Sequence, residues 1–366
     1  MEILDNKNIN IKIKIMNDNN NNKDIVFKNM EFFKCNIQII YCESLTSRDT
    51  INDYILEFFE EKKNFKPKKI KDMITYFESN IPSNKVSRIN NYSDLYYALL
   101  SGYTIITVDG YEEALSFETK AMLNSNIEAA RIETIIKGPK DSFTENFQIN
   151  IGMIRKRIKS EKLWMDELIL GNYSKTKIGV LHVDGIANKE LIKTLVDKIS
   201  KINIDAIMEG NYIIESITNN IKNVFPTYIS TERPDTVATH LMNGKIAIVV
   251  ENTPFVIVIP IVFAELFHSP EDLYQKPINT NYTRVIRLLA FFITILTPAL
   301  YIALTTYNHE TIPSELLINF STQRDGVPLP TVFEAIIMLI TFEILKETDT
   351  RIPSAIGSSL SIVGAL

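Results

Sequence analysis

From Leu288 to Tyr307 the chain runs for twenty residues without one charged side chain. As an α-helix this stretch is about 30 Å long, the thickness of a bilayer's hydrocarbon core. Pro298 sits near its middle. In water an interior proline costs a helix about 3 kcal/mol, whereas in lipid it is tolerated where neighbours or hydroxyls satisfy the freed carbonyl. Thr294, four residues earlier, faces that gap. We therefore expect a transmembrane helix; the alternative is the core helix of a soluble protein. Arg284 and Arg287 precede the run, and His309, Glu310 and Glu315 follow it. The positive-inside rule then puts everything N-terminal to it in the cytoplasm.

The rest of the chain is a different material. Beyond residue 280, 12 of 86 positions are charged, against 71 of the first 280. The net charge of −5 argues against nucleic acid as a partner, because phosphate binding needs a basic surface. Cys35 and Cys42 alone cannot form a disulfide framework or a zinc site. The N-terminus lacks an apolar signal region and carries the run Asn17-Asp18-Asn19-Asn20-Asn21-Asn22, so residues 1–25 read as a disordered lead-in.

Strand and helix patterns alternate from Val26 onward. Residues 36–41 have strand length, 47–61 and 67–77 carry apolar stripes at helical spacing, and Ser93 and Asp94 can cap a helix over 95–100. Asp109-Gly110 predicts a two-residue hairpin between 103–108 and 111–117. After a hinge near 118–142 a second series follows. It comprises a helix over 144–159, strands over 164–170 and 176–183, helices over 188–201 and 212–221, and short strands at 228–230 and 246–250. Two α/β units result, 26–120 and 121–250. The face of the first helix bearing Arg155, Lys156, Arg157 and Lys159 reads as solvated, or as a contact with anionic lipid or another subunit.

Phe255–Phe267 is apolar but too short to span a bilayer. We expect 251–280 to be an interfacial or re-entrant connection bent at Pro260, with a buried strand pair as the alternative. Residues 327–345 are interrupted by Glu334 and Glu343, which lie on opposite sides of a helix and form no dyad. An ionisable group there faces a pore, a partner or the interface. The last fifteen residues are rich in small side chains, Gly357 and Gly364 among them, the composition that lets membrane helices approach closely. Four scattered histidines give no metal spacing, and no nucleotide-loop or nucleophile-elbow motif occurs.

Ordered motifs cover some 230 residues: Gly138-Pro139 with the basic helix of Arg155 and Arg157, Phe225-Pro226, Thr231-Glu232-Arg233-Pro234-Asp235, and Ser269-Pro270-Glu271-Asp272. Pro298-Ala299, Tyr301, Ile312-Pro313, Pro330, Glu334, Glu343, Arg351, Gly357 and Gly364 continue the series. With them the chain resembles the A subunit of the GerA family of spore germinant receptors. Lys137, Lys140, Ser142, Lys346, Thr348 and Asp349 depart from the family pattern, and the first hundred residues match loosely.

The resemblance implies a cytoplasmic region of two α/β subdomains followed by an α-helical integral membrane domain, 281–366, incomplete here. Family members continue through further spans, so the chain is expected to be a fragment or a frameshifted copy. It further implies a non-enzymatic, cofactor-free subunit of the spore inner membrane that works with a transporter-like B subunit and a lipoprotein C subunit. Such a subunit would oligomerise, contact membrane lipid and couple germinant sensing to ion release, as an oligomeric channel. Gly138, Pro139, Arg155, Arg157, Glu232, Arg233, Pro234 and Asp235 become candidate structural or subunit contacts. Pro298, Tyr301, Glu334, Glu343, Gly357 and Gly364 become candidates for ion pathway or helix packing. A solute permease subunit and a soluble α/β binding protein with a buried apolar end are the other readings. Locally, Pro234 and Asp235 also make a good helix start, stopped by Gly244.

Overall fold

The computed structural model describes residues 2–32, 35–61, 70–83, 85–122, 130, 132–218, 225–324 and 329–351. The chain divides into two compact units, Met1–Tyr274 and Gln275–Leu366.

The first unit contains two five-stranded antiparallel sheets with one topology used twice. The first subdomain runs α1 (Asn8–Asp18), β1 (Ile25–Phe32), β2 (Cys35–Cys42), α2 (Arg48–Thr50), a π-helical turn Ile51–Leu56, and α3 (Glu57–Glu61). It closes with α4 (Ile70–Asn80), β3 (Val86–Ile89), α5 (Tyr92–Leu99), β4 (Tyr103–Val108) and β5 (Ala114–Glu118). The second runs α6 (Phe147–Arg157), β6 (Leu163–Leu170), β7 (Thr176–Val183), α7 (Lys189–Ser200), α8 (Gly210–Thr218), β8 (Ile229–Thr231), α9 (Pro234–Met242), β9 (Ile246–Val250) and β10 (Val256–Ile259). The sheet orders are β1-β2-β4-β5-β3 and β6-β7-β9-β10-β8, the same permutation.

Helices cover both faces of each sheet, which is why central strands such as Ile246–Val250 are apolar on both sides. In the first subdomain Ile11, Ile15, Leu95 and Leu99 pack on Ile40 and Ile105. On the opposite face Phe58, Phe59, Met73 and Phe77 pack on Ile37, Ile39 and Phe117. In the second, Ile151, Ile154, Val237 and Leu241 cover Leu181 and Val249, while Leu195, Ile199 and Ile213 cover Ile178 and Ile248. Asparagine caps start three of these helices: Asn91, Asn146 and Asn188 each accept from a backbone N–H two or three residues on.

Several expectations need correction. Residues 1–25 are no disordered lead-in: Leu4, Ile11 and Ile15 are core residues, and Ile3 bridges to Asn91. The asparagine run is a tight turn in which Asn20 and Asn21 have φ of 50° and 53°, a left-handed conformation that asparagine tolerates better than most residues. The stretch 251–280 is not wholly interfacial, because Val256–Ile259 is a buried strand between β9 and β8. The tight hairpin at Asp109-Gly110 opens into a longer loop, since Gly110 donates its N–H to Asn6 O (2.7 Å) and β5 starts only at Ala114. Helix α5 is capped by Asn91, one turn-register earlier than Ser93 or Asp94.

In the second unit, α10 (Pro277–Ile302) passes through Pro298 and continues as a π-helical turn, Ala303–Tyr307. Together they form the one helix among the described residues long and apolar enough to cross a membrane, 31 residues with a mean hydropathy of 2.1 over its best window. Thr294 and Thr297 donate their hydroxyls to the carbonyls of Ala290 (2.8 Å) and Ile293 (2.6 Å), one turn below the break. Two further helices follow, α11 (Ser314–Arg324), which the sequence pattern did not announce, and α12 (Thr331–Arg351).

Candidate functional site

Two polar clusters hold the motif residues from Gly138 to Arg157 and from Thr231 to Asp235, one at the start of α9 and one between the subdomains.

At the first, β8 ends at Thr231 and Pro234 opens α9, so Glu232 and Arg233 fall on the sharp bend between them. Their side chains take opposite directions. Glu232 Oε1 accepts from the backbone N–H groups of Ile132 (2.7 Å) and Glu133 (2.8 Å), and its carbonyl accepts from Phe143 N–H (2.8 Å). Arg233 is fully buried. Its guanidinium donates to the carbonyls of Glu133 (3.3 Å) and Pro139 (2.8 Å) and to Asp235 Oδ2 (2.7 Å). The Thr231 hydroxyl donates to the Glu133 carboxylate, whose proton affinity burial pushes up. Thus a β-bend of five residues fastens the linker that joins the two subdomains.

Asp235 occupies the predicted second position of the helix, yet α9 has no side-chain cap. Its carboxylate instead receives Arg233 and the hydroxyl of Tyr274. Burial, and then the bond to Asp235, push the Tyr274 phenol up to about 12. Gly138 completes the arrangement. At φ +124° a Cβ there would lie 2.7 Å from both the Tyr274 ring and Ile135, so glycine is required by conformation and by contact. Tyr274 is the last residue of the first unit, three before Pro277. Arg157 adds a pair of 2.7 Å bonds to Asp141 in the same linker.

The second cluster overturns the solvated reading of Arg155. This side chain is fully buried, and Nε lies 2.6 Å from Asp24 Oδ2, itself fully buried in the first subdomain. Asp24 also accepts from Ser44 Oγ (2.7 Å), Ser44 N (3.0 Å) and Cys42 Sγ (3.1 Å). Burial and the Asp24 charge push the Cys42 thiol up, so it is inert. Trp164 Nε1 also donates across the subdomains to Asp18 O (3.0 Å), and Lys159 lies over the Tyr97 ring. The helix face failed as a solvent signal because α6 lies between its own sheet and the other subdomain; only Lys156 and Lys159 remain exposed. Asp24, Glu133 and Tyr274 were missed altogether. No local pattern marks them, for each is defined by a partner far away in sequence.

In the second unit Pro298 and Tyr301 lie in α10, and Tyr301 is exposed. Glu334 is in the first turn of α12, and Glu343 pairs with Lys346 at 3.4 Å. Gly357 and Gly364 lie outside the described residues. Among the described residues no group of three or more His, Cys, Asp or Glu could hold a metal ion.

Known proteins share this arrangement. The family model for the Bacillus/Clostridium GerA spore germination protein matches residues 13–366. Spore germination protein KA of Bacillus subtilis is 35% identical over 90% of the chain, which spans 60% of that relative. Spore germination protein GerQA of Bacillus cereus is 30% identical over 94% of the chain, which spans 68% of it. The crystal structure of the N-terminal domain of the A subunit of the Bacillus megaterium spore germinant receptor GerK3 superposes with a TM-score of 0.56. It is 28% identical, and the match covers 72% of this chain and 98% of that domain. A pair of α/β subdomains followed by an apolar helical region, matched by the family model over almost its whole length, makes this chain a member of the GerA family of spore germination proteins.

Proposed function

We propose that the chain serves as the A subunit of a nutrient germinant receptor in the spore inner membrane, with its first 274 residues in the cytoplasm. In this reading it is not an enzyme. It assembles with copies of itself and with a transporter-like B subunit and a lipoprotein C subunit, and it couples germinant sensing to ion release as an oligomeric channel. Arg284 and Arg287 just before the apolar span support the orientation.

The observation that carries the coupling is the Tyr274–Asp235–Arg233 chain of hydrogen bonds. It joins the inter-subdomain linker to a residue that precedes the apolar helix by three positions. A rearrangement that shifts the inter-subdomain linker would strain this clasp.

The test is complementation. Spores lacking their own receptors, supplied with this chain and its cognate B and C subunits, should release cations and dipicolinate on germinant addition. Tyr274→Phe should slow release several-fold while receptor abundance stays constant. Release at the unmodified rate would remove the clasp from the pathway, and co-assembly without any release would remove the channel reading.

A further inference from the structure

The segment after β10 carries two phenylalanines, Phe263 and Phe267, which join Phe225 from before β8 in a row that burial in the core does not explain. Ile261 N–H bonds to Thr227 O (2.8 Å), which lays residues 225–227 alongside 261–263. Phe225 and Phe263 then stack edge to face at 4.9 Å, and Phe263 stacks on Phe267 at 5.3 Å. Phe225 is 57% exposed, Val262 61% and Phe263 40%, and Pro226 and Ala264 beside them are exposed too. The row is rigidly presented. Ile261 and Leu266 pack into the second subdomain's core, Glu265 accepts from Val262 N–H (3.0 Å), and Glu265 pairs with Lys245. A stiff turn that holds aromatic rings outward is a contact surface rather than an accident of the core.

Chain geometry selects the partner. Tyr274 is pinned to Asp235, and only Gln275 and Lys276 separate it from Pro277. That gap spans at most about 11 Å. The charge-free run begins at Leu288, eleven residues into the helix or about 16 Å further. The tether from Tyr274 to the start of the charge-free run is therefore at most about 27 Å long, and it carries Arg284 and Arg287, which suit a headgroup region. We propose that Phe225, Val262 and Phe263 seat in the headgroup–acyl boundary of the bilayer that α10 enters, as a second, non-spanning membrane anchor. Aromatic rings with an apolar body favour that boundary, and their insertion adds to the hold of a single span. This inference rests on the membrane-spanning reading of α10, and the experiment separates the two.

The full chain, with Cys35→Ser and either Phe263→Cys or Tyr173→Cys carrying an environment-sensitive fluorophore, is reconstituted in vesicles of phosphatidylcholine and phosphatidylglycerol. Tyr173 is 82% exposed on a loop of the second subdomain and serves as the aqueous control. Lipids spin-labelled near the headgroup should quench the 263 label at least threefold more than the 173 label, and aqueous iodide should do the reverse. Equal iodide quenching at both positions overturns the anchor. So does protection from both quenchers that grows with the protein-to-lipid ratio, the signature of a second copy. Carbonate extraction of the same vesicles decides whether α10 itself is inserted, so failure of the span is seen separately. As a second variant, residues 1–274, which correspond to a domain that crystallises alone in a relative, should float with these vesicles. Phe225→Ser with Phe263→Ser should cut the floated fraction at least fivefold.

Discussion

The two subdomains use one plan, and they differ in chemistry where each begins its last α-helix. In the first, Leu4 N–H bonds to Asn90 O and Asn91 caps α5; in the second, Phe143 N–H bonds to Glu232 O and Arg233 precedes α9. The positions correspond: Leu4 and Phe143 each stand four residues before the subdomain's first helix. In the first subdomain the pair of residues before the helix is Asn90-Asn91, short amides of which Asn91 accepts from Asp94 N–H and donates to the Asn90 side chain. In the second it is Glu232-Arg233, long charged groups that reach the linker and Tyr274 through Asp235. The distinctive motif is therefore the plan's ordinary helix start, to which a clasp has been added.

The largest expected effect tests whether the subdomains depend on each other. Arg155→Ala strands Asp24 as a buried, unpaired charge, which costs about 3–5 kcal/mol. Urea unfolding of residues 1–274 should report this loss, and Arg155→Met combined with Asp24→Asn should recover most of it. A single variant within 1 kcal/mol of the parent would mean that water reaches the pair.

Next comes the direct contrast between the helix starts. Arg233→Met removes a fully buried group that makes three hydrogen bonds and should cost about 2–4 kcal/mol. Asn91→Ala removes a cap and should cost about 1 kcal/mol. Equal losses would erase the distinction drawn between the two positions.

A further difference between the subdomains is in pH. The first subdomain contains no histidine, whereas the second holds His182 and His240. Burial, and then the Lys245 charge, hold His240 down to about 4, and burial holds His182 below its usual value. Unfolding then takes up protons below the ordinary histidine value. Stability should be flat above pH ~6.5 and fall as the pH drops towards 4, by about 1–2 kcal/mol for partly exposed His240. His240→Gln should flatten most of that slope.

Much of this plan is legible in the sequence, and the remainder fails for identifiable reasons. The strands over 176–183 and 246–250 and the helix start at Pro234 follow from apolar runs and from proline at a first helical position, which are local signals. Composition misled at the asparagine run, because a left-handed turn and a disordered tail favour the same residue. Val256–Ile259 was ambiguous because a buried strand and a lipid-facing segment are equally apolar. Arg155 was misplaced because helical periodicity separates faces without saying what covers each one.

The Asp24–Arg155 pair bears on how the first unit comes apart. Two repeats that each own a sheet and two helical layers would ordinarily melt as separate blocks. Here neither block can open alone without breaking the buried pair and uncovering the ion of the other. Opening is thereby made cooperative, and fluorescence of Trp164 in the second repeat should follow the same denaturation curve as a probe placed in the first.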